Sequence, residues 1–269
     1  MAIVHSAGVP IHYELIGDGP PIVLVHGFAS SFEGNWGQSG WIDFLVAHGR
    51  QVVGVDCRGH GESGKPRDAA AYEVRHMADD VIAAMDAAGV RRADLMGYSM
   101  GGRLVINLLA RFPDRFSSAV VGGAGVPPPT DLARRAAITA ALETDDVSTI
   151  TDPLALFFRQ FAESRTHDPH SLAGQNNDLK ALSICFAGFS ASRPLDEFEE
   201  AALKRLDVPV LAVVGEKDDA VGPAQRLVET VLRSRLVVLP GEDHLSAVPT
   251  QKYKEAVAAF LKEHSLSLA

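Results

Sequence analysis

Continuous apolar runs recur along the chain: PIVLV (21–25), QVVGVD (51–56), ADLMG (93–97), SSAVVGG (117–123), VPVLAVVG (208–215) and SRLVVLP (234–240). A strand with one wet face alternates apolar and polar residues, so unbroken runs predict strands buried on both faces, as in a parallel sheet. Between the runs the pattern becomes a stripe. In VRHMADDVIAAMDAAG (74–89), Met77, Val81 and Met85 recur every four residues beside Ile82, and the segments 99–112, 223–232 and 251–264 carry similar stripes. Each predicts a helix with one apolar face. Strands alternating with helices imply right-handed crossovers and a mostly parallel sheet with helices on both faces, an α/β fold.

Two segments depart from this alternation. IVHSAGVPIHYELIG (3–17) gives two short alternating stretches around Gly8, which predict an N-terminal antiparallel hairpin. Between Val126 and Asp207 the strand pattern stops: VPPPT breaks the chain, and segments rich in Ala, Leu and Phe follow. That stretch is too long for a simple connection, so it reads as a helical insertion packed over the strand ends, a lid. The expected organisation is a core domain of residues 1–126 and 208–269 with a helical cap of residues 127–207.

Composition narrows the function classes. The 269 residues are 46% hydrophobic and 22% charged, ordinary for a soluble globular protein and long enough for a sizeable core. A formal net charge of -9 argues against nucleic-acid binding, which needs clustered Lys and Arg. Cys57 and Cys185 are too far apart in sequence for a CxxC metal or redox motif, so buried free thiols are expected. The N-terminal segment lacks the basic and long apolar parts of a signal peptide, and no run is long enough to span a bilayer. The expectation is a cytoplasmic protein without a membrane or nucleic-acid partner.

The candidate chemistry falls at the C-terminal ends of the predicted strands, where open α/β sheets bind ligands. In GYSMGG (97–102) a strand must reverse into a helix at Ser99, with Gly97 and Gly101 letting the backbones pass closely. A serine hydroxyl is a weak nucleophile unless a base takes its proton, and histidine suits that task. His244, in LPGEDHLS, follows the last predicted strand. His26 fits a structural or oxyanion-loop role better, and His60 sits in a glycine turn. Asp218 and Asp219, in GEKDDAVGP, both follow the strand 208–215 and either could orient the histidine. The Met100 N–H directly after the serine and the Phe28 N–H in HGFASS are the candidate oxyanion donors.

With these motifs in view, VLVHGF, GVDCRGHGES, GYSMGG, VVGEKDD and LPGEDH, the chain resembles the α/β-hydrolase superfamily nearly end to end. It is similar in particular to small serine hydrolases with a helical cap. The resemblance implies Ser99 as nucleophile and His244 as base, and it favours Asp218 as the acid because the family places that residue three after a strand-ending glycine, here Gly215. It also implies that Asp56, Arg58 and His60 are structural. No cofactor or metal is implied. His167 and His170 in THDPH have a spacing that could hold a metal ion, but Cys or Glu partners are lacking nearby.

The substrate class is read from the nucleophile and the cap. Epoxide hydrolases and haloalkane dehalogenases of this fold use Asp where Ser99 stands, and residues 127–207 contain no Tyr or Trp to activate a ring oxygen. A serine implies an acyl-enzyme and a small-molecule ester substrate, with lactones, thioesters and polyester fragments chemically adjacent. The alternatives are a carbon–carbon bond hydrolase of ring-cleavage dienoates, a cofactor-free perhydrolase or haloperoxidase, and a hydrolase-derived ligand receptor. The first usually has Asn where this chain has Tyr98. Phe157, Phe158, Phe161, Phe186 and Phe189 either line an acyl pocket or form the cap's own core. Trp36 and Trp41 either form the mouth of the site or pack beneath their loop, the favoured reading.

Overall fold

The structure, a computed structural model, describes residues 1–126, 132–167, 178–191 and 197–264. The strands are β1 (Ala2–Ser6), β2 (Val9–Ile16), β3 (Pro21–Val25), β4 (Gln51–Val55), β5 (Ala93–Tyr98), β6 (Phe116–Gly122), β7 (Val210–Gly215) and β8 (Ser234–Leu239). They form one sheet in the order β1-β2-β4-β3-β5-β6-β7-β8. Both pairings of β2 are antiparallel, and every pairing from β4 to β8 is parallel. The hairpin turns at Ala7 and Gly8, both with positive φ, the backbone handedness that matches the twist of a two-residue hairpin.

The helices are α1 (Trp41–Ala47), α2 (Val74–Ala87), α3 (Met100–Arg111), α4 (Leu132–Glu143), α5 (Pro153–His167), α6 (Leu179–Ala191), α7 (Glu197–Lys204), α8 (Val221–Thr230) and α9 (Gln251–His264). The unbroken strand runs now have a physical reason. Val23 and Val25 of β3 point into one core with Met77 of α2, Leu104 of α3 and Leu227 of α8. Their neighbours Ile22 and Leu24 point into the opposite core with Trp41 of α1 and Val257 of α9. Successive side chains of a strand face opposite sides, so a strand covered on both sides must be apolar at every position.

Helices α4 to α7 lie between β6 and β7 in the chain, where a helical insertion was expected. Within it, α4 packs on α5 and α6, while α6 also meets residues 69–72 and α7 meets α3. Its own apolar centre joins Ile138, Leu142, Ala162 and Leu182 to Ala29 of the core, with Phe28, Phe158, Phe161 and Phe186 packed against it. Among the described residues no helix is long and apolar enough to cross a membrane.

Candidate active site

The strands β3, β5 and β7 end at one edge of the sheet, and the loops that follow them converge there. At the end of β5 the chain turns into α3 through Ser99, which holds φ 54° and ψ -111°. A non-glycine residue in such a sparsely populated region costs about 1–3 kcal/mol and persists only where the surroundings enforce it. The surroundings here are backbone: the Ser99 N–H donates to Gly122 O at 2.8 Å and its carbonyl accepts the Arg103 N–H at 3.1 Å. The flanking glycines are steric requirements. A Cβ on Gly97 would run into the carbonyl of Gly101, and one on Gly101 into those of Val25 and His26.

The turn brings Ser99 Oγ to 3.0 Å from His244 Nε2, while His244 Nδ1 stands 2.8 Å from Asp218 Oδ2. The choice between the adjacent carboxylates is made by the turn after β7. The Asp218 N–H donates to Gly215 O and its Oδ1 accepts the Ala220 N–H, which rotates Asp218 inward and leaves Asp219 exposed. With its carboxylate buried, Asp218 favours the tautomer with hydrogen on Nδ1, leaving the Nε2 lone pair for the serine hydroxyl proton.

Phe28, Ser99, Met100, Asp218 and His244 all border one cavity of about 640 Å³. Met100 opens α3, where the first N–H groups of a helix have no intrahelical acceptor. Among the described residues neither its N–H nor that of Phe28 donates to a protein acceptor. The Phe28 loop is held from both sides. The Gly27 N–H donates to Asn35 Oδ1 at 2.8 Å, and His26 Nδ1 lies 2.7 Å from Gly27 O while its Nε2 accepts the Cys57 N–H. The next residue, Ala29, has φ 55°. Nothing in the sequence marks Asn35, which a single π-type turn over Glu33–Gly37 carries. Nor does it mark the Tyr98 hydroxyl, which donates to the carbonyl of His244 at 2.6 Å and so ties the histidine loop to the serine turn.

The remaining candidates lie in buried networks or in the wall of the cavity. Arg58 makes two hydrogen bonds to Asp80, at 2.6 and 2.5 Å, with both side chains buried. Burial raises the Asp56 carboxyl, but hydrogen bonds from His12, Phe32 and Glu62, together with the field of His26, hold it below its ordinary value. Trp36 and Trp41 are buried and meet edge to face, and Trp41 Nε1 donates to Val248 O, so they pack beneath their loop. The phenylalanines serve both expected roles. Phe28 stacks edge to face on Phe158 and Phe186 in the cap's core, and Phe157, Phe158, Phe186 and Phe189 also line the cavity. His170 and the imidazole of His167 lie outside the described residues. Among those described, no group of three or more metal-ligating side chains is placed to hold an ion.

His60 is wholly buried against Phe28 and His26, and burial, then the neighbouring His26, pushes its imidazole down to about 3. The folded chain thus binds one proton fewer than the unfolded chain between about 3 and the free value of 6.5. This contribution to stability is full above that window and is lost as pH falls through it. Each pH unit is expected to reduce the folding constant about tenfold from this group alone. Urea unfolding between about pH 7 and about pH 5 measures the slope, which His60→Asn should flatten.

Comparison with known proteins bears on the family and the fold. The sequence profile of the alpha/beta hydrolase fold family matches residues 20–149, and that of a serine hydrolase family matches residues 154–257. A non-heme chloroperoxidase from Streptomyces lividans is 32% identical over 238 residues, covering 81% of this chain and 82% of the relative. A 3-oxoadipate enol-lactonase from Acinetobacter baylyi is 28% identical over 222 residues, 78% of each chain. Among solved structures, an esterase from Exiguobacterium antarcticum superposes with a TM-score of 0.76 at 20% identity over 97% of this chain and 98% of its own. Fold, motif order and identity over most of the length converge: the chain belongs to the α/β-hydrolase family.

Proposed function

We propose that the protein is a serine hydrolase that cleaves carboxylic esters of small or medium size through an acyl-enzyme on Ser99, with residues 127–207 as the cap over the site. The observation that carries the reading is the continuous hydrogen-bonded chain from Ser99 Oγ through both nitrogens of His244 to Asp218, opening into an apolar cavity. Ser99 attacks the substrate carbonyl as His244 Nε2 takes its proton, and the Phe28 and Met100 N–H groups stabilise the oxyanion. The imidazolium returns that proton to the departing alcohol. Water then repeats the sequence, and the acid leaves. Lactones follow the same steps, with the alcohol still tethered to the acyl group, consistent with the enol-lactonase relative.

The test is hydrolysis of p-nitrophenyl esters of graded acyl length. Burying a methylene against Phe158, Phe186 and Phe189 is worth about 0.8 kcal/mol. kcat/KM should therefore rise by up to about fourfold per methylene from acetate to hexanoate. A flat or falling series would contradict an apolar acyl site, and no turnover of any ester would refute the esterase reading. The chloroperoxidase relative favours a second reading, in which hydrogen peroxide replaces water as the acyl acceptor and the product is a peracid. Peracid yield from the same esters with added peroxide separates the two.

A further inference from the structure

Ser99 and His244 border two cavities, which also share Phe157 and Phe158. The larger, of about 640 Å³, is walled by Ile138, Phe157, Phe158, Phe186 and Phe189. The smaller, of about 290 Å³, has one wall of Ser30, Asn35, Gln38 and Ser39 and an apolar remainder that includes Phe157, Phe158 and Phe161. Among the described residues no Asp, Glu, Lys or Arg side chain lines the smaller one. Two of its polar groups are held in place with donors unused by the protein. Asn35, 8% exposed, commits its Oδ1 to the Gly27 N–H. That bond fixes the orientation of the amide. Its Nδ2, which meets no acceptor among the described residues and is not shut away from solvent, is directed to the cavity. Ser30, 4% exposed, likewise has a hydroxyl with no side-chain partner among the described residues and a place in the same wall.

Resting on the esterase reading, we infer that the smaller cavity is the leaving-group subsite and that Asn35 and Ser30 select esters whose alcohol is a short neutral polyol. The chemistry of the acyl-enzyme sets which arm goes where. The departing alcohol and the incoming water must each exchange a proton with His244 Nε2, so by microscopic reversibility they occupy the same position. That position has to hold water once the alcohol has gone. The wall that carries the Asn35 amide and the Ser30 hydroxyl offers that water partners, whereas the larger cavity, with Ile138, Phe186 and Phe189, has the volume and the apolar wall for an acyl chain. Choice of alcohol follows from the same groups. A polyol can accept from the Asn35 amide and exchange hydrogen bonds with Ser30, while an alkyl alcohol of equal length leaves both unpaired. A charged alcohol finds no counter-ion there.

In the cleavage step the carbonyl carbon forms its bond to Ser99 Oγ and breaks its bond to the polyol oxygen. The proton taken from Ser99 passes through His244 to that oxygen. No oxidant or cofactor is needed. Asn35 lies within the π-type turn over Glu33–Gly37, with its Oδ1 on the Gly27 N–H and its Nδ2 left for a substrate oxygen.

The experiment compares glyceryl monohexanoate with propyl hexanoate, with p-nitrophenyl hexanoate as a common reference. Two neutral hydrogen bonds predict about a tenfold higher kcat/KM for the glyceryl ester. Ser30→Ala and Asn35→Asp, the latter keeping an acceptor for the Gly27 N–H, should each bring the ratio of the two esters toward one. A wild-type ratio near one, cleavage of the p-nitrophenyl ester alone, or a high ratio that survives both substitutions would overturn the assignment while leaving the esterase reading intact. Failure to cleave all three would overturn the esterase reading and this inference with it.

Discussion

Replacing Ser99 by alanine is expected to reduce kcat/KM for p-nitrophenyl hexanoate by about 10⁴-fold or more. The size follows from what the position contributes. Its Oγ is within hydrogen-bonding reach of His244 Nε2, and in the proposed mechanism it attacks the substrate carbonyl whose oxygen the Phe28 and Met100 N–H groups receive. Alanine keeps the backbone turn and the cavity but removes the atom that forms the acyl bond. What remains is the oxyanion site, which alone sustains only a small part of such catalysis. A thermal melt close to that of the wild type would show that the loss is chemical. Retention of activity within about tenfold would mean that another group is the nucleophile.

The second large effect separates two neighbouring carboxylates. Asp218→Asn should lower kcat by about 10³- to 10⁴-fold, because an amide facing Nδ1 no longer enforces the tautomer that leaves Nε2 free to take the serine proton. Asp219→Asn should stay within about threefold, since an exposed charge beyond the turn is screened by water. The pair is informative because the substitutions are chemically identical and adjacent in sequence. Parity between them, or the reverse order, would remove Asp218 from its assigned role. Measuring kcat separately from KM tests the same point, as the loss at Asp218 belongs to the chemical step.

The contrast between these two residues also marks how far the sequence is legible. Continuous apolar runs identify the parallel strands because a sheet covered on both sides leaves no polar position, and the five motifs locate the loops at its edge. Periodicity carries no information about which strand lies beside which, so the insertion of β4 between β2 and β3 appears only in three dimensions. From the residues alone Asp218 and Asp219 were equivalent, and the family resemblance broke the tie. The structure supplies the physical cause in the bonds from the Asp218 N–H to Gly215 and from Ala220 to the Asp218 carboxylate. Asn35 and the Tyr98 hydroxyl are the opposite case. Each acts through a hydrogen bond with a backbone group elsewhere in the sequence, and no local pattern encodes such a contact. The sequence leaves the phenylalanines of the cap open as lining or as core. They are both, because a ring that walls a cavity needs other rings behind it.

In the proposed mechanism Ser99 Oγ is the atom to which the acyl group is transferred. A p-nitrophenyl alkylphosphonate tests it most directly, since its tetrahedral phosphorus captures the attacking oxygen and the adduct does not turn over. Mass spectrometry of the labelled protein should find one phosphonyl group per chain, on the peptide that contains Ser99, with loss of esterase activity in proportion and no labelling of the Ser99→Ala protein. An esterase-active protein that stays unlabelled at Ser99, or that carries the label on another residue, would contradict the account.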